Sequence, residues 1–299
     1  MVIVSTIKGR IEGIKGNICY SFLGIPYAKP PIGNLRFCEP QPMDAWDHII
    51  KTVEYGPAAW QNHEELSPIQ QEQNEDCLYL NIWTPSIDDN KRPVMFYIHG
   101  GGFLIGAGSR SRLNGEKLAF RGDVVVVTFN YRLGALGFLN LPNIPSNIGF
   151  RDQIAALEWV RDNIQNFGGD PNNITIFGES SGSESVVIFL SIPSTIGKFH
   201  RAIMQSGVAN PYSYRKELTR NGAKQLLSKL RIEESDVGAL KEININRFMR
   251  AQKKIAGVIT DDKQNPFRPF VDEDIIPEIP YKLIQNGNYN KVPLILGWN

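Results

Sequence analysis

The sequence has 299 residues, 42% of them apolar, and its 32 Lys and Arg against 31 Asp and Glu leave a formal charge of +1. That balance excludes both the basic footprint of a nucleic-acid surface and an acidic tail, so a small neutral molecule is the expected partner. Apolar runs such as 124–127 and 186–190 are too short to span a bilayer, and the opening MVIVSTIKGRIEGIKG carries charge where a secretory leader needs an apolar stretch. A cytoplasmic protein with no membrane partner is expected.

In chain order, residues 2–7 and 18–22 alternate or run apolar around glycine-containing turns and predict a small antiparallel sheet at the N-terminus. GIPYAKPPIG (24–33) holds three prolines between glycines and predicts a rigid non-helical loop. From residue 78 onward the pattern changes. Residues 78–83, 94–98, 124–129, 174–177 and 292–296 are short β-branched or aromatic runs without charges, the signature of strands covered on both faces. Between two of them, Ile154, Leu157, Val160, Ile164 and Phe167 recur at spacings of three and four and predict a helix over 152–166 that GGDP (168–171) ends. A second helix is predicted to start just after Ser180 and run through 186–190 to Pro193. Strand, helix and strand in succession imply an α/β fold with a mostly parallel central sheet and helices on both faces. The charged segments 216–230 and 236–253 predict a helical insertion before the last strand. With no repeat, low-complexity stretch or linker, residues 1–299 read as a single domain. Cys19, Cys38 and Cys77 are odd in number and not closely paired, so they read as reduced structural thiols rather than a disulfide framework or a zinc site. Neither a metal nor a cofactor is expected.

Two segments carry chemistry. GESSG (178–182) follows the run ITIF and precedes an apolar helical run, the context in which a G-x-S-x-G turn presents a nucleophilic serine, here Ser180. The glycines are required because a sharp strand-to-helix turn strains the serine backbone and leaves no room for side chains two residues away. HGGGF (99–103) follows VMFYI and resembles an oxyanion-hole loop, in which consecutive glycines let backbone N–H groups approach a tetrahedral oxyanion. The amide of Ser181, the residue after the nucleophile, is a further donor. A dinucleotide-binding reading fails on spacing. Gly100, Gly102 and Gly106 give G-x-G-x-x-x-G, and the next strand, VVVVTFNY, ends without an acidic residue.

The segments GIPYAKPP, EDCLYLNIW, HGGGF, NYRLGALGFL, NIGFRDQIAALEWVRDNIQNFGGDPNNITIFGESSG and FRPFVDEDIIPEIP, in this order, resemble the type-B carboxylesterase and cholinesterase-like family of α/β-hydrolases, and within it the bacterial para-nitrobenzyl esterases. The match runs from about Gly9 to the last residue. The resemblance implies a carboxylic-ester hydrolase acting through a serine acyl-enzyme, with a small neutral carboxylic ester as substrate. It implies Ser180 as nucleophile, Gly101, Gly102 and Ser181 as the oxyanion hole, Phe103 as a substrate-binding residue, and Arg36 with Glu75 and Arg132 with Asp152 as structural ion pairs.

The sequence departs from the family in four ways. Ser181 and Ser183 stand where the family usually has Ala and Gly. Secreted relatives pair the cysteine matched by Cys77 with one at the position of Ala59, so that bridge cannot form here, in keeping with a reducing compartment. No tryptophan lies between Gln61 and Asp76, so a choline ester is not the expected substrate. Finally, no histidine follows His200. His200 matches a structural strand, His99 is expected to orient the glycine loop, and His48 and His63 read as surface residues. Glu179 reads as a buried structural carboxylate, and Asp261, Asp262, Asp272, Glu273 and Asp274 as solvated loop charges. The family's acid lies a few residues beyond the strand matched by VPLILG, so the expectation is a type-B domain truncated before its acid and histidine, inactive alone. The alternatives are one part of a split esterase completed by a complementing C-terminal chain, and a non-catalytic cholinesterase-like protein-binding module. The intact elbow and glycines count against the last.

Overall fold

The β-branched and aromatic runs form the centre of one large sheet, and the glycine and proline clusters form its turns. The computed structural model describes residues 1–62, 69–207, 214–256 and 265–298. The chain begins with strands β1 (Val2–Ser5), β2 (Arg10–Lys15) and β3 (Tyr20–Pro26), then the short β4 (Ile49–Lys51), β5 (Ala58–Ala59) and β6 (Gln73–Asn74). The middle alternates β7 (Tyr79–Thr84), β8 (Arg92–Ile98), α1 (Glu116–Gly122), β9 (Val125–Phe129), α2 (Gly134–Phe138), α3 (Ile148–Asn163), β10 (Gly169–Glu179), α4 (Ser181–Ser191) and β11 (Arg201–Gln205). Last come α5 (Lys216–Leu230), α6 (Val237–Glu242), α7 (Ile245–Lys253), α8 (Pro280–Gln285) and β12 (Leu294–Gly297).

The main sheet runs β1-β2-β3-β7-β9-β8-β10-β11-β12, with β4 beside β2. β9, β8, β10, β11 and β12 are mutually parallel, with Phe96 opposite Val127 and Ile176, and Ile203 opposite Phe177 and Ile295. This is the α/β-hydrolase arrangement expected. The antiparallel N-terminal strands are continuous with it rather than set apart, because β3 pairs with β7. Alternation along β9 separates the two faces: Val125, Val127 and Phe129 join the core that includes Leu157 and Val160 of α3 and Val187 of α4. Val126 packs instead with Trp83, Cys19 and Ala119 of α1. Period-two side-chain geometry thus puts α1 on one face and α3 and α4 on the other.

Four elements differ from expectation, each for a local reason. α3 starts four residues early, where Asn147 adopts a left-handed conformation (φ 50°) and its amide donates to Phe270 O at 2.8 Å. Segment 236–253 is two helices, because the Asn244 side chain accepts from the N–H groups of Asn246 and Arg247 and caps a new start. β10 reaches back to Gly169 through an irregularity between Gly169 and Ile174. β12 is exposed along its whole length, with Ile295 at 66%, because among the described residues it pairs with β11 alone and no helix covers it. Among the described residues no helix is long and apolar enough to cross a membrane.

Candidate active site

Ser180 sits between the end of β10 and the start of α4 with φ 54° and ψ −122°. A non-glycine residue there costs on the order of 1–3 kcal/mol and persists only where its surroundings enforce it. The enforcement is steric: a Cβ on Gly178 would lie 2.5 Å from Gly182 O, and one on Gly182 would lie 2.1 Å from Ile98 O. The turn is closed by Ser180 N–H donating to Gln205 O at 3.0 Å and Glu184 N–H donating to Ser180 O at 3.0 Å.

The glycine loop after β8 lies directly against this turn. A Cβ on Gly100 would fall 3.3 Å from Ser180 Cβ and 2.5 Å from Glu179 O, so only glycine lets the two segments meet. Five successive loop carbonyls each find a donor. Tyr131 Oη donates to His99 O (2.9 Å), His99 Nδ1 contacts Gly100 O (2.9 Å), and Leu104 and Ile105 N–H both donate to Gly101 O (3.1 Å). Asn265 Nδ2 donates to Gly102 O (2.7 Å), and Gly134 N–H donates to Phe103 O (2.7 Å). Gln61, buried behind the loop, accepts from Gly106 N–H and donates to Gly106 O. Among the described residues the N–H groups of Gly101 and Gly102 have no acceptor. The Ser181 N–H opens α4 and, like any first helical amide, has no partner within the helix. Three N–H groups of the loop and turn that meet beside Ser180 are thus left without an acceptor among the described residues.

His99 cannot be the proton acceptor. It is 2% exposed, stacks on Tyr131 at 4.4 Å, and is held down to about 3 by burial, against a smaller opposing effect of its contact with Gly100. His200 Nδ1 accepts from Ile174 N–H in the middle of β10, six residues from Ser180, or roughly 20 Å along a strand. His48 is exposed beside Asp47, next to the short β4 near the far edge of the sheet. His63 lies outside the described residues, as do Asp261 and Asp262.

Glu179 is exposed, not buried as expected, because the turn points it into an open cavity of about 650 Å³ with Tyr97, Arg112, Ser206, Ile295 and Trp298. Phe103 is 1% exposed and packs edge-on against Phe138 at 5.3 Å, so its side chain anchors the loop in the core and offers no surface to a substrate. Asp272 is not a solvated charge either: it accepts from Asn147 Nδ2 (2.7 Å), Ser146 Oγ and Ile276 N–H (2.8 Å). Glu273 and Asp274 reach Lys216 and Arg151. The Ser181 and Ser183 hydroxyls are buried without partners among the described residues. The three cysteines are free, and burial pushes Cys19 up to about 12.

Arg132 and Asp152 meet at 2.7 and 2.8 Å through two guanidinium nitrogens, with Arg132 N–H donating to the same carboxylate at 3.1 Å. Arg36 grips Glu75 through Nε and Nη2, and its Nη1 donates to Lys241 O and Ile243 O, tying the N-terminal loop to α6. Sequence reasoning missed a third buried pair, Arg268 with Glu184 at 2.7 Å. The signal was present: Glu184 is the one charge in the helix SGSESVVIFLS, directly before its apolar run 186–190, and a buried carboxylate needs a cation. Asn265 had no such signal.

The model of the carboxylesterase family matches residues 1–299. The chain is 40% identical to a para-nitrobenzyl esterase of Bacillus subtilis, covering 99% of this chain and 62% of that protein. It is 36% identical to a cholinesterase of Mus musculus, covering 99% and 53%. Among solved structures, a PNB esterase superposes with a TM-score of 0.91 at 40% identity, covering 99% of this chain and 63% of that one. A carboxylesterase of Geobacillus stearothermophilus superposes with a TM-score of 0.91 at 39% identity, covering 99% and 61%. The chain thus spans about three fifths of the length of these bacterial relatives.

Proposed function

The chain belongs to the carboxylesterase family, and from that membership we propose that it is the nucleophile-bearing part of a hydrolase of small neutral carboxylic esters. Ser180 Oγ attacks the ester carbonyl, and the N–H groups of Gly101, Gly102 and Ser181 receive the oxyanion. Collapse of the tetrahedral intermediate expels the alcohol and leaves an acyl-enzyme, which water then hydrolyses. The observation that carries this reading is the strained Ser180 held against a glycine loop whose carbonyls are all engaged elsewhere. A binding module has no use for either feature.

The reaction also needs a base for the Ser180 proton and an acid group to orient it. None of the three described histidines reaches Ser180. On this reading residues 1–299 belong to one type-B domain, and the histidine and acid come from residues outside those described. A continuing polypeptide or a complementing chain would serve equally. Removal of one triad member costs about 10⁴ to 10⁶ in turnover, so the 299-residue chain alone is expected to turn over a para-nitrophenyl ester barely above background. Adding a polypeptide that carries the acid and histidine should restore turnover, and Ser180→Ala should abolish it. Restored turnover that survives Ser180→Ala would overturn the proposal.

A further inference from the structure

We infer that Asn265 is a positioning residue for the oxyanion loop, holding the Gly102 peptide so that its neighbouring amides keep facing Ser180. The inference rests on the hydrolase reading above and extends it to a residue with no place in the serine, glycine and histidine chemistry. Four of the five pinned loop carbonyls are held from nearby: by the loop's own amides, by the His99 ring, and by Tyr131 and Gly134 from the segment following β9. The Gly102 carbonyl is held by a side chain 163 residues further on.

The geometry is specific. Asn265 is 4% exposed, and its amide orientation is fixed at both ends, with Nδ2 donating to Gly102 O at 2.7 Å and Oδ1 accepting from Phe267 N–H at 2.9 Å. Reversing the amide would set an oxygen against a carbonyl and an NH₂ against an N–H, so one orientation alone satisfies both. Gly102 needs such an anchor. At φ 64° it occupies a region that glycine enters and leaves at little steric cost, Gly101 at φ 121° shares that freedom, and Phe103 at φ 60° holds a positive φ that costs a bulky residue energy. In a peptide plane C=O and N–H point in opposite directions. Fixing Gly102 O therefore fixes the plane it shares with Phe103, and because the preceding plane, which carries the Gly102 N–H, is held through Gly101 O by Leu104 and Ile105, Asn265 closes from the C-terminal side the two Gly102 torsions that join these planes. Preorganisation is what makes such donors effective, because a donor that must rotate into position gives back part of its stabilisation of the transition state.

Asn265→Leu removes the donor at similar volume, and Asn265→Asp keeps the shape but sets an acceptor against the carbonyl. Two measurements decide the matter. With ¹³C-carbonyl glycine and ¹⁵N phenylalanine, the chain yields three Gly–Phe cross-peaks, from Gly102–Phe103, Gly137–Phe138 and Gly149–Phe150. In both variants the Gly102 carbonyl should move upfield while the other two stay, which also reports that the fold is intact. The second-order rate of phosphonylation of Ser180 by a fluorophosphonate, in the chain complemented as above, should fall about 10- to 100-fold, somewhat less than deletion of a direct donor. The affinity for a non-reactive ketone analogue of the ester should stay unchanged. An unmoved Gly102 resonance overturns the inference, as does a moved resonance with an unchanged phosphonylation rate. No labelling of Ser180 in the unmodified protein would instead strike the hydrolase reading, leaving the resonance to report on the hydrogen bond alone.

Discussion

Replacing Asp152 by Ala should be among the most damaging single changes outside the site. Arg132 and Asp152 are 5% and 0% exposed, and the carboxylate takes three hydrogen bonds from Arg132. Without it the guanidinium keeps, among the described residues, only Cys38 O, 2.8 Å away, and remains buried and unneutralised. Such a broken pair costs about 3 to 5 kcal/mol. At about 2.1 cal/mol/K per residue, the unfolding entropy of a chain this long is about 0.6 kcal/mol/K, so the midpoint should drop by roughly 6 °C. The double variant Arg132→Met, Asp152→Leu removes both charges and should recover most of the loss, because desolvating an ion pair is itself costly. Thermal melts at one fixed scan rate, with urea titrations beside them, would measure all three proteins. A single variant within 1 °C of the parent, or a double variant less stable than the single, would refute this reasoning.

Two other outcomes follow from the same structure. His99 is depressed from 6.5 to about 3 by burial, so below pH 6.5 the unfolded chain takes up a proton that the folded chain refuses. Its contribution is complete above pH 6.5 and shrinks as the pH falls toward 3, amounting to about 2 to 3 kcal/mol lost between pH 6.5 and 4.5. His99→Phe should therefore show a flatter acid limb in urea unfolding, and parallel limbs would contradict it. On β12, where Leu294, Ile295 and Leu296 are 47%, 66% and 54% exposed, Ile295→Lys should raise the concentration at which the isolated chain stays monomeric in light scattering. No change would mean that this edge does not drive association.

The sequence made the centre of the molecule legible because two constraints there are local. At the centre of the sheet an uncharged β-branched run between turns is a buried strand, and GESSG between strand and helix can hardly be built without both glycines, as the 2.1 Å approach of a Gly182 Cβ to Ile98 O makes plain. The two ion pairs named from the resemblance, Arg36 with Glu75 and Arg132 with Asp152, do meet in the structure. What could not be read depends on contacts between distant segments. Asn265 holds Gly102 across 163 residues with an ordinary polar side chain, and no spacing marks it. Phe103 sits beside the glycines in sequence, yet its positive φ turns the ring into the core against Phe138. Asp272 and Glu179 exchanged their expected roles for a similar reason: the first folds back onto Ser146 and Asn147, and the second faces an open cavity. The break at Asn244 was legible in principle, since asparagine is a strong N-cap, but a helical period running on both sides masked it.

The central claim is that Ser180 is the nucleophile and that the N–H groups of Gly101, Gly102 and Ser181 serve it. Incubation with an organophosphonate followed by peptide mapping of the modified serine tests it most directly, because phosphonylation demands a hydroxyl beside preorganised donors. The account predicts label on Ser180 and on no other serine, with none at all in Ser180→Ala. Label on Ser181 or Ser183 with Ser180 unmodified would contradict it.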